Sequence, residues 1–310
     1  MRGSVSFVEV DAGSVGMVFG LVRRVYRGFE EVTLEGLRSM VSSSMLSMVA
    51  LYEGEPVAFA SSQGLPGVVE VRSLAAAPGY GWALESLLKA IALRLEPGLG
   101  GRLFRMVALS TPSIVSATSS LGLEARRRIL KVKWTLSHTT DTCSEGAPEG
   151  VAIVRVSDYG SVGEVARSYL ESLSTHWRWW IDSDMGGYEG ALREVKEWIE
   201  SGPERWYAAL LGDTVVGASG YKPHPRLRGV AWLAGVAVKP EHRLRGVGRA
   251  LLCRVLDSAM SEGFREAVVY TYSPIIGLAP GATLYIKTGG SIQAEYIHFE
   301  TPPGLQGYNI

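Results

Sequence analysis

The sequence predicts an α/β protein made of two similar domains, each with a mixed, mostly antiparallel sheet flanked by helices. The chain has 310 residues, whereas a single domain usually has roughly 100–200. A stretch of small, polar and turn residues at 139–149 lacks apolar periodicity and is typical of a linker. On either side of it, strand and helix patterns follow in the same order. We therefore expect domains at 1–138 and 150–310.

Short residue matches indicate that the two halves arose by duplication. The matched segments are 54–60 with 212–218, 73–78 with 235–240, and 79–84 with 246–251. The offset is 162 residues from Pro78 to Pro240 but 167 from Gly79 to Gly246. The first half therefore lacks five residues, which correspond to 241–245. The alternative is that two unrelated α/β halves share common turn residues.

Charge and cysteine content exclude several classes of protein. Basic and acidic residues both total 31, so no net field favours nucleic acid or an anionic membrane, and we expect neither partner. No apolar stretch reaches the roughly 20 residues of a membrane span. With Cys143 and Cys253 as the only cysteines, we expect neither a disulfide framework nor a cysteine metal cluster, and a reducing, cytoplasmic setting. His176 and His242 lack partners at ligand spacing, so no metal site is expected.

A strand-to-helix junction in the second half has the pattern of an anion-binding loop. The apolar run 230–238 predicts a buried strand ended by Pro240, and apolar residues recurring every four positions from Val247 predict an amphipathic helix. Gly246 and Gly248 lie where unpaired backbone N–H groups at a helix start bind phosphate. The alternative is that the glycines serve only turning. A dinucleotide site is disfavoured because Leu251 replaces the third glycine, and no Gly-Lys-Ser/Thr motif of an ATP-binding P-loop occurs.

The run 236–252, VAVKPEHRLRGVGRALL, resembles motif A of the GCN5-related N-acetyltransferases (GNATs), which reads Gln/Arg-x-x-Gly-x-Gly/Ala after a Val-x-Pro strand end. The resemblance implies acetyl-CoA as cosubstrate, with the strand end pairing with the pantetheine arm and the loop amides holding the pyrophosphate. The residues that it assigns to the coenzyme are Val236, Ala237, Val238, Arg243, Leu244, Arg245, Gly246, Val247, Gly248 and Arg249.

A second segment, 282–290, resembles the family's helix Ala-x-x-Leu-Tyr-x-x-x-Gly-Phe. The tyrosine of that motif commonly protonates the departing thiolate, so the resemblance makes Tyr285 the candidate general acid. The alternative is a tyrosine that only packs its helix on the sheet. The family's asparagine before this helix is absent, and 267–272 contains no glutamate to serve as a base. No general base is assigned.

The first half resembles the family only in degraded form. With Gly122 opposite Gly289, the position of Tyr285 is taken by Thr118, and the arginine-bearing part of the loop is the segment that the first half lacks. The resemblance thus implies two tandem GNAT-like domains, as in mycothiol synthases. We expect the first to keep the fold but to have little or no affinity for the cofactor.

Aromatic residues concentrate between the first two predicted helices of the second half, at 174–184. In the resembling family this segment roofs the acceptor pocket. We expect Trp177, Trp179 and Trp180 to line that pocket, with Asp182 or Asp184 orienting a cationic amine. The alternative is that the tryptophans join the two halves.

The function that these patterns favour is an N-acyltransferase in which a small-molecule or peptide primary amine attacks acetyl-CoA directly. The alternative is a non-catalytic acyl-CoA sensor or protein-interaction module on the same fold. A tRNA-dependent aminoacyl transferase is disfavoured by the neutral charge and the intact phosphate loop. The acceptor and the oligomeric state are not predicted.

Overall fold

A computed structural model describes residues 4–29, 32–66, 68–95, 103–138, 143 and 146–300. They form two compact units: the first runs up to Ile129 and resumes at Ala294, and the second is Leu130–Gln293. The units therefore differ from the halves expected at 1–138 and 150–310, because each unit takes its last strand residues from the other half of the chain. Most of the predicted linker 139–149 lies outside the described residues.

The first unit has a mixed sheet in the order β1-β2-β3-β4-β5-β12. Strands β4 and β5 are parallel, and the pairs β1–β2, β2–β3, β3–β4 and β5–β12 are antiparallel. Its elements in chain order are β1 Val5–Glu9, α1 Gly16–Val25, α2 Leu34–Ser42, β2 Leu46–Tyr52, β3 Glu55–Leu65, β4 Val68–Ala76, α3 Gly81–Leu95, β5 Leu103–Leu109, α4 Pro112–Ser119, the beginning of β6 Glu124–Thr135, and the end of β12 Ser291–Glu300.

The second unit repeats this plan in the order β6-β11-β10-β9-β8-β7. Strands β10 and β11 are parallel, whereas the pairs β7–β8, β8–β9 and β9–β10 are antiparallel. Its further elements are β7 Val151–Arg155, α5 Val156–Tyr159, α6 Val162–Trp179, a π-helical turn Trp180–Asp184, α7 Tyr188–Glu200, β8 Trp206–Leu211, β9 Thr214–Pro223, β10 Val230–Val238, α8 Val247–Ser261, β11 Glu266–Ser273 and α9 Pro280–Lys287. The predicted mixed, mostly antiparallel sheets flanked by helices are confirmed.

The two units share backbone irregularities as well as element order. Strands β4 and β10 carry a bulge at the same place, where Ser73 has φ 56° and Gly235 has φ 93°. Gly79 and Gly246, just before helices α3 and α8, have φ 82° and 85°. A left-handed residue is costly for any side chain but glycine. The same unusual conformations at matching positions therefore support the duplication expected from the sequence.

The end of β6 completes the core of the second unit. Leu130, Val132 and Trp134 are buried in one cluster with the apolar face of α8 and with Tyr285. The Trp134 indole N–H donates to the Thr288 carbonyl at 3.1 Å, so its polar edge is satisfied inside the core. Within the described ranges, no helix combines the length and apolarity needed to cross a bilayer.

A buried ion pair occupies the sheet of the first unit where the second unit has a tryptophan. Glu70, which matches Trp232 at the offset of 162, is 3% exposed and pairs with Arg105, which is 1% exposed, at 2.5 Å. Arg72 contacts the same carboxylate. Since buried charges require partners, this cluster holds its geometry tightly. The two units therefore differ in the polarity of equivalent interior positions.

Cys143 and Cys253 form a disulfide, which corrects the expectation that neither cysteine is paired. The cysteines are 110 residues apart in sequence, with Cα atoms 5.4 Å apart. Nothing in their spacing predicts the bond, because only the fold places Cys143 beside Cys253 on α8. The reducing, cytoplasmic setting was inferred from unpaired cysteines and so loses that support.

Breaking this disulfide is expected to destabilise the second unit by about 2–4 kcal/mol, because the bond closes a long loop and restricts the unfolded chain. Reducing agent should lower the Tm of the wild-type protein. The Cys143→Ser variant should begin at the lower Tm and show no further change when reducing agent is added. An unchanged wild-type Tm on complete reduction, verified by thiol titration, contradicts the prediction.

Candidate active site

A cleft opens in the second unit where two parallel strands separate. Strands β10 and β11 pair only from Val230 with Glu266 to Trp232 with Val268. Beyond that point β10 continues to Val238 with β9 on one side and the cleft on the other. The cleft has a volume of about 690 Å³. A strand edge that is not paired with a neighbouring strand thus faces a cavity large enough for an extended ligand.

At one end of the cleft, the start of α8 presents unpaired amides. The first bond of the helix runs from the Ala250 N–H to the Gly246 carbonyl, so the amides of Val247 and Gly248 precede any intrahelical bond. Gly246 is left-handed, and Leu244 before it has φ 60° and a fully exposed side chain. Leu244 thus has a strained backbone conformation that its side-chain packing does not explain. This indicates that the loop conformation is required by the position of its backbone groups.

The three arginines of the loop have different surroundings. The Arg243 guanidinium donates from Nε to the Val238 carbonyl at 3.0 Å and from Nη2 to the Ser172 carbonyl at 2.9 Å. This side chain therefore connects the loop to the end of β10 and to the backbone of α6. Arg249 lines the cleft, whereas Arg245 is exposed and lies outside the lining. The cleft thus has positive charge at its helix end.

Tyr285 lies at the bulge of β10 and is 3% exposed. Its hydroxyl oxygen accepts the Val236 N–H at 2.9 Å, which leaves the phenolic proton available for donation. Burial raises the pKa of Tyr285 to about 12, opposed by the hydrogen bond from Val236. Beside it, the Tyr169 hydroxyl donates to the Ala234 carbonyl, and burial raises the pKa of that phenol as well. Both phenols are therefore neutral at ordinary pH.

The structure brings together most of the residues assigned to the coenzyme. Val247 is buried in the core and does not line the cleft. Arg245 also lies outside it. The assigned residues that do line it, together with Tyr285, are Val236, Ala237, Val238, Arg243, Leu244, Gly246, Gly248 and Arg249.

The other end of the cleft is aromatic. Two of the three tryptophans expected there line it, Trp177 and Trp180, and Trp177 breaks the helical backbone at the end of α6 with φ −116° and ψ 20°. Trp179 does not line the cleft. Asp182 is exposed and pairs with Arg178 at 2.7 Å, and Asp184 is buried outside the lining. Neither aspartate is therefore placed to orient an amine in this cavity. The side chains of 174–176 lie outside the described part of the chain.

Sequence reasoning missed four aromatic residues of this end. They are Trp198 on α7, Trp232 on β10, and Tyr270 and Tyr272 on β11. Trp232 contacts Trp198 and Tyr270 with ring centres 6.3 Å apart in each pair. In the sequence, Trp232 belongs to a nearly all-apolar strand, and alternation cannot tell which residues face the core when both sides are covered. The separation of β10 and β11 exposes this face.

Among the described residues that line the cleft, none is aspartate, glutamate or histidine. The charged lining consists of Arg243 and Arg249. No described group of three or more histidine, cysteine or acidic residues is arranged to hold a metal ion. The structure thus adds no candidate for the general base that the sequence also failed to provide.

Comparisons with known proteins agree with this geometry. Residues 173–274 match the sequence profile of the acetyltransferase (GNAT) family. A GCN5-related N-acetyltransferase from Sphaerobacter thermophilus superposes with a TM-score of 0.75 at 18% identity, covering 97% of this chain and 96% of that one. A tandem GNAT protein from the clavulanic acid biosynthesis pathway gives a TM-score of 0.65 at 13% identity, with 97% and 100% covered. No curated protein sequence matches the chain.

Residues 173–274 of the second half therefore match the GNAT acetyltransferase family, and the end of β10, the start of α8 and Tyr285 form the cleft. At the level of the whole chain, the fold is that of a tandem GNAT protein. The resemblance is confirmed for the fold, and for the family over residues 173–274, which include the first of the two motifs.

Proposed function

We propose that the second unit binds acetyl-CoA in this cleft and transfers its acyl group to a primary amine by direct attack in a ternary complex. The observation that carries the proposal is the continuity of the open β10 edge with the unpaired amides at the start of α8. Peptide groups along 236–238 suit the amides of a pantetheine arm, and the amides of Val247 and Gly248 suit a pyrophosphate. Arg249 adds positive charge beside them.

Each residue then has a defined part in the transfer. The bulge at Gly235 holds the end of β10 open, and the fixed cleft walls orient the amine toward the thioester carbonyl. As the C–N bond forms and the C–S bond breaks, Tyr285 gives its proton to sulfur and regains one from solvent. The proton of the amine passes to water, because no lining carboxylate or histidine receives it among the described residues.

The first unit is proposed to lack this activity. At the start of α3, Tyr80 and Trp82 occupy the positions matching Val247 and Arg249, and their rings pack with Tyr52 at 5.6 and 6.0 Å. Aromatic side chains thus replace the cation beside the helix start. With Thr118 also in place of Tyr285, the first unit lacks the side chains that the second is proposed to use for the phosphate charge and for the proton.

The pH dependence of the rate tests Tyr285 as the proton donor. Its pKa is raised to about 12, so the protonated form that donates is present at every pH below that value. An amine acceptor, in contrast, becomes reactive as it loses its proton. We therefore expect kcat to rise with pH and then to level off. No decline in kcat is expected at any pH up to about 10. A steady-state profile with a descending limb between about pH 8 and 10, in enzyme that remains folded, contradicts this assignment.

The absence of a base among the described lining residues favours one other candidate, a non-catalytic acyl-CoA sensor. Both candidates require acetyl-CoA to bind, which calorimetric titration tests. No binding at millimolar ligand refutes both. Thiol release measured over a panel of primary amines separates them. Binding without amine-dependent thiol release establishes the sensor.

A further inference from the structure

A lysine lies against the aromatic end of the cleft. Lys222 is directly opposite Trp232 in the pairing of β9 with β10. Its ammonium nitrogen is 4.9 Å from the centre of the Trp232 ring and 4.5 Å from that of Trp198. Both rings line the cleft. The ammonium group is therefore in cation–π contact with two rings of the cleft wall, whereas Lys222 itself is not among the lining residues.

This cation has no carboxylate partner within 4.0 Å among the described residues. Glu194 acts on it only at longer range, and burial lowers the pKa of Lys222. A half-buried ammonium group that contacts two rings and whose nearest carboxylate lies beyond ion-pair distance retains capacity for an anion. In the first unit, the interior position matching Trp232 carries a carboxylate, Glu70, already paired with Arg105.

The sign of the charge around the cleft restricts the acceptor. Lys222, Arg243 and Arg249 are all cationic, and the described lining contains no carboxylate. A purely cationic amine would be repelled, whereas an amine that also carries an anion gains a partner. Nearby positive charge also lowers the pKa of a bound ammonium group, which yields the neutral nucleophile without a general base. The aromatic walls favour a flat or bulky apolar group.

Building on the proposed transferase function, we propose that the acceptor is an amine bearing both a carboxylate and a large apolar or aromatic group, as in an aromatic amino acid, with Lys222 binding the carboxylate. This reverses the sequence-based expectation of a cationic amine held by Asp182 or Asp184. It also gives Trp198 and Trp232 a role in specificity, since they hold the lysine and contact the apolar group.

The test compares L-phenylalanine with 2-phenylethylamine, which differ by the carboxylate. Binding is followed by tryptophan fluorescence of the full chain, with and without acetyl-CoA, and thiol release is measured in parallel. We expect the wild-type protein to favour phenylalanine at least tenfold. Lys222→Glu should reverse the preference and Lys222→Arg should retain it. Lys196→Glu on α7 makes the same charge change at a lysine that is not in cation–π contact with Trp198 or Trp232, and it should retain the preference as well.

Three binding results overturn the proposal: equal or stronger binding of 2-phenylethylamine by the wild-type protein, a preference for phenylalanine that survives in Lys222→Glu, or no binding of either compound. Thiol release with amines that lack a carboxylate, unaffected by Lys222→Glu, overturns it while leaving the transferase function intact. Failure of acetyl-CoA to bind counts against the transferase function alone, because the acceptor titration without acetyl-CoA is still interpretable.

Discussion

Replacing Gly246 by glutamate is expected to weaken acetyl-CoA binding on the order of 100-fold or more. Two hydrogen bonds from backbone amides to a charged group contribute about 1.5 kcal/mol each at the least, and a tenfold change in affinity corresponds to about 1.4 kcal/mol. The glutamate would add a negative charge where a pyrophosphate is proposed to bind. It would also crowd Pro148, whose Cγ lies 3.2 Å from the position of the added Cβ.

Gly79→Glu is the matched control for this substitution. Gly79 occupies the corresponding place before α3, with φ 82° against 85° at Gly246 and no atom within 4 Å of an added Cβ. Both substitutions therefore impose similar backbone strain, and thermal unfolding checks that both proteins fold. Calorimetry should show wild-type affinity in Gly79→Glu. Equal losses in the two variants would mean that the units share coenzyme binding.

The Tyr285→Phe variant is expected to lower kcat on the order of 100-fold, within the range that a positioned general acid contributes. The affinity for acetyl-CoA should change only a few-fold, because the ring and its packing against Trp134, with ring centres 5.6 Å apart, are retained. The Val236 N–H loses its acceptor, so a modest fall in Tm should accompany the change. Stopped-flow thiol release and calorimetry separate the two effects.

Thr118→Val serves as the control in the first unit. Thr118 is buried and its hydroxyl donates to the Ile114 or Val115 carbonyl, so its removal costs stability without touching the cleft of the second unit. Unchanged kcat is expected. If Tyr285→Phe retains wild-type kcat, or gains activity when the pH is raised while the wild type does not, the tyrosine is a structural residue.

Local sequence was sufficient for the elements whose geometry is set within a few residues. A strand, a turn and a helix follow one another here, and they are defined by the proline after 230–238, the left-handed glycine at 246 and the apolar repeat of α8. Together these signals predicted the unpaired amides at the start of α8. Tyr285 was identified through the resemblance of residues 282–290 to a family motif. The five residues that the first half lacks belong to the connection between strand and helix. This connection is shorter between β4 and α3 than between β10 and α8.

Contacts between distant segments were decided only by the tertiary structure. Three such contacts join residues that share no sequence periodicity. They are the disulfide from Cys143 to Cys253, the strand residues that each unit takes from the other half of the chain, and the contacts of Lys222 with Trp198 and Trp232. The physical reason is that backbone preferences act over one turn or one strand. Which side chains meet across a sheet depends on register and on where neighbouring strands separate.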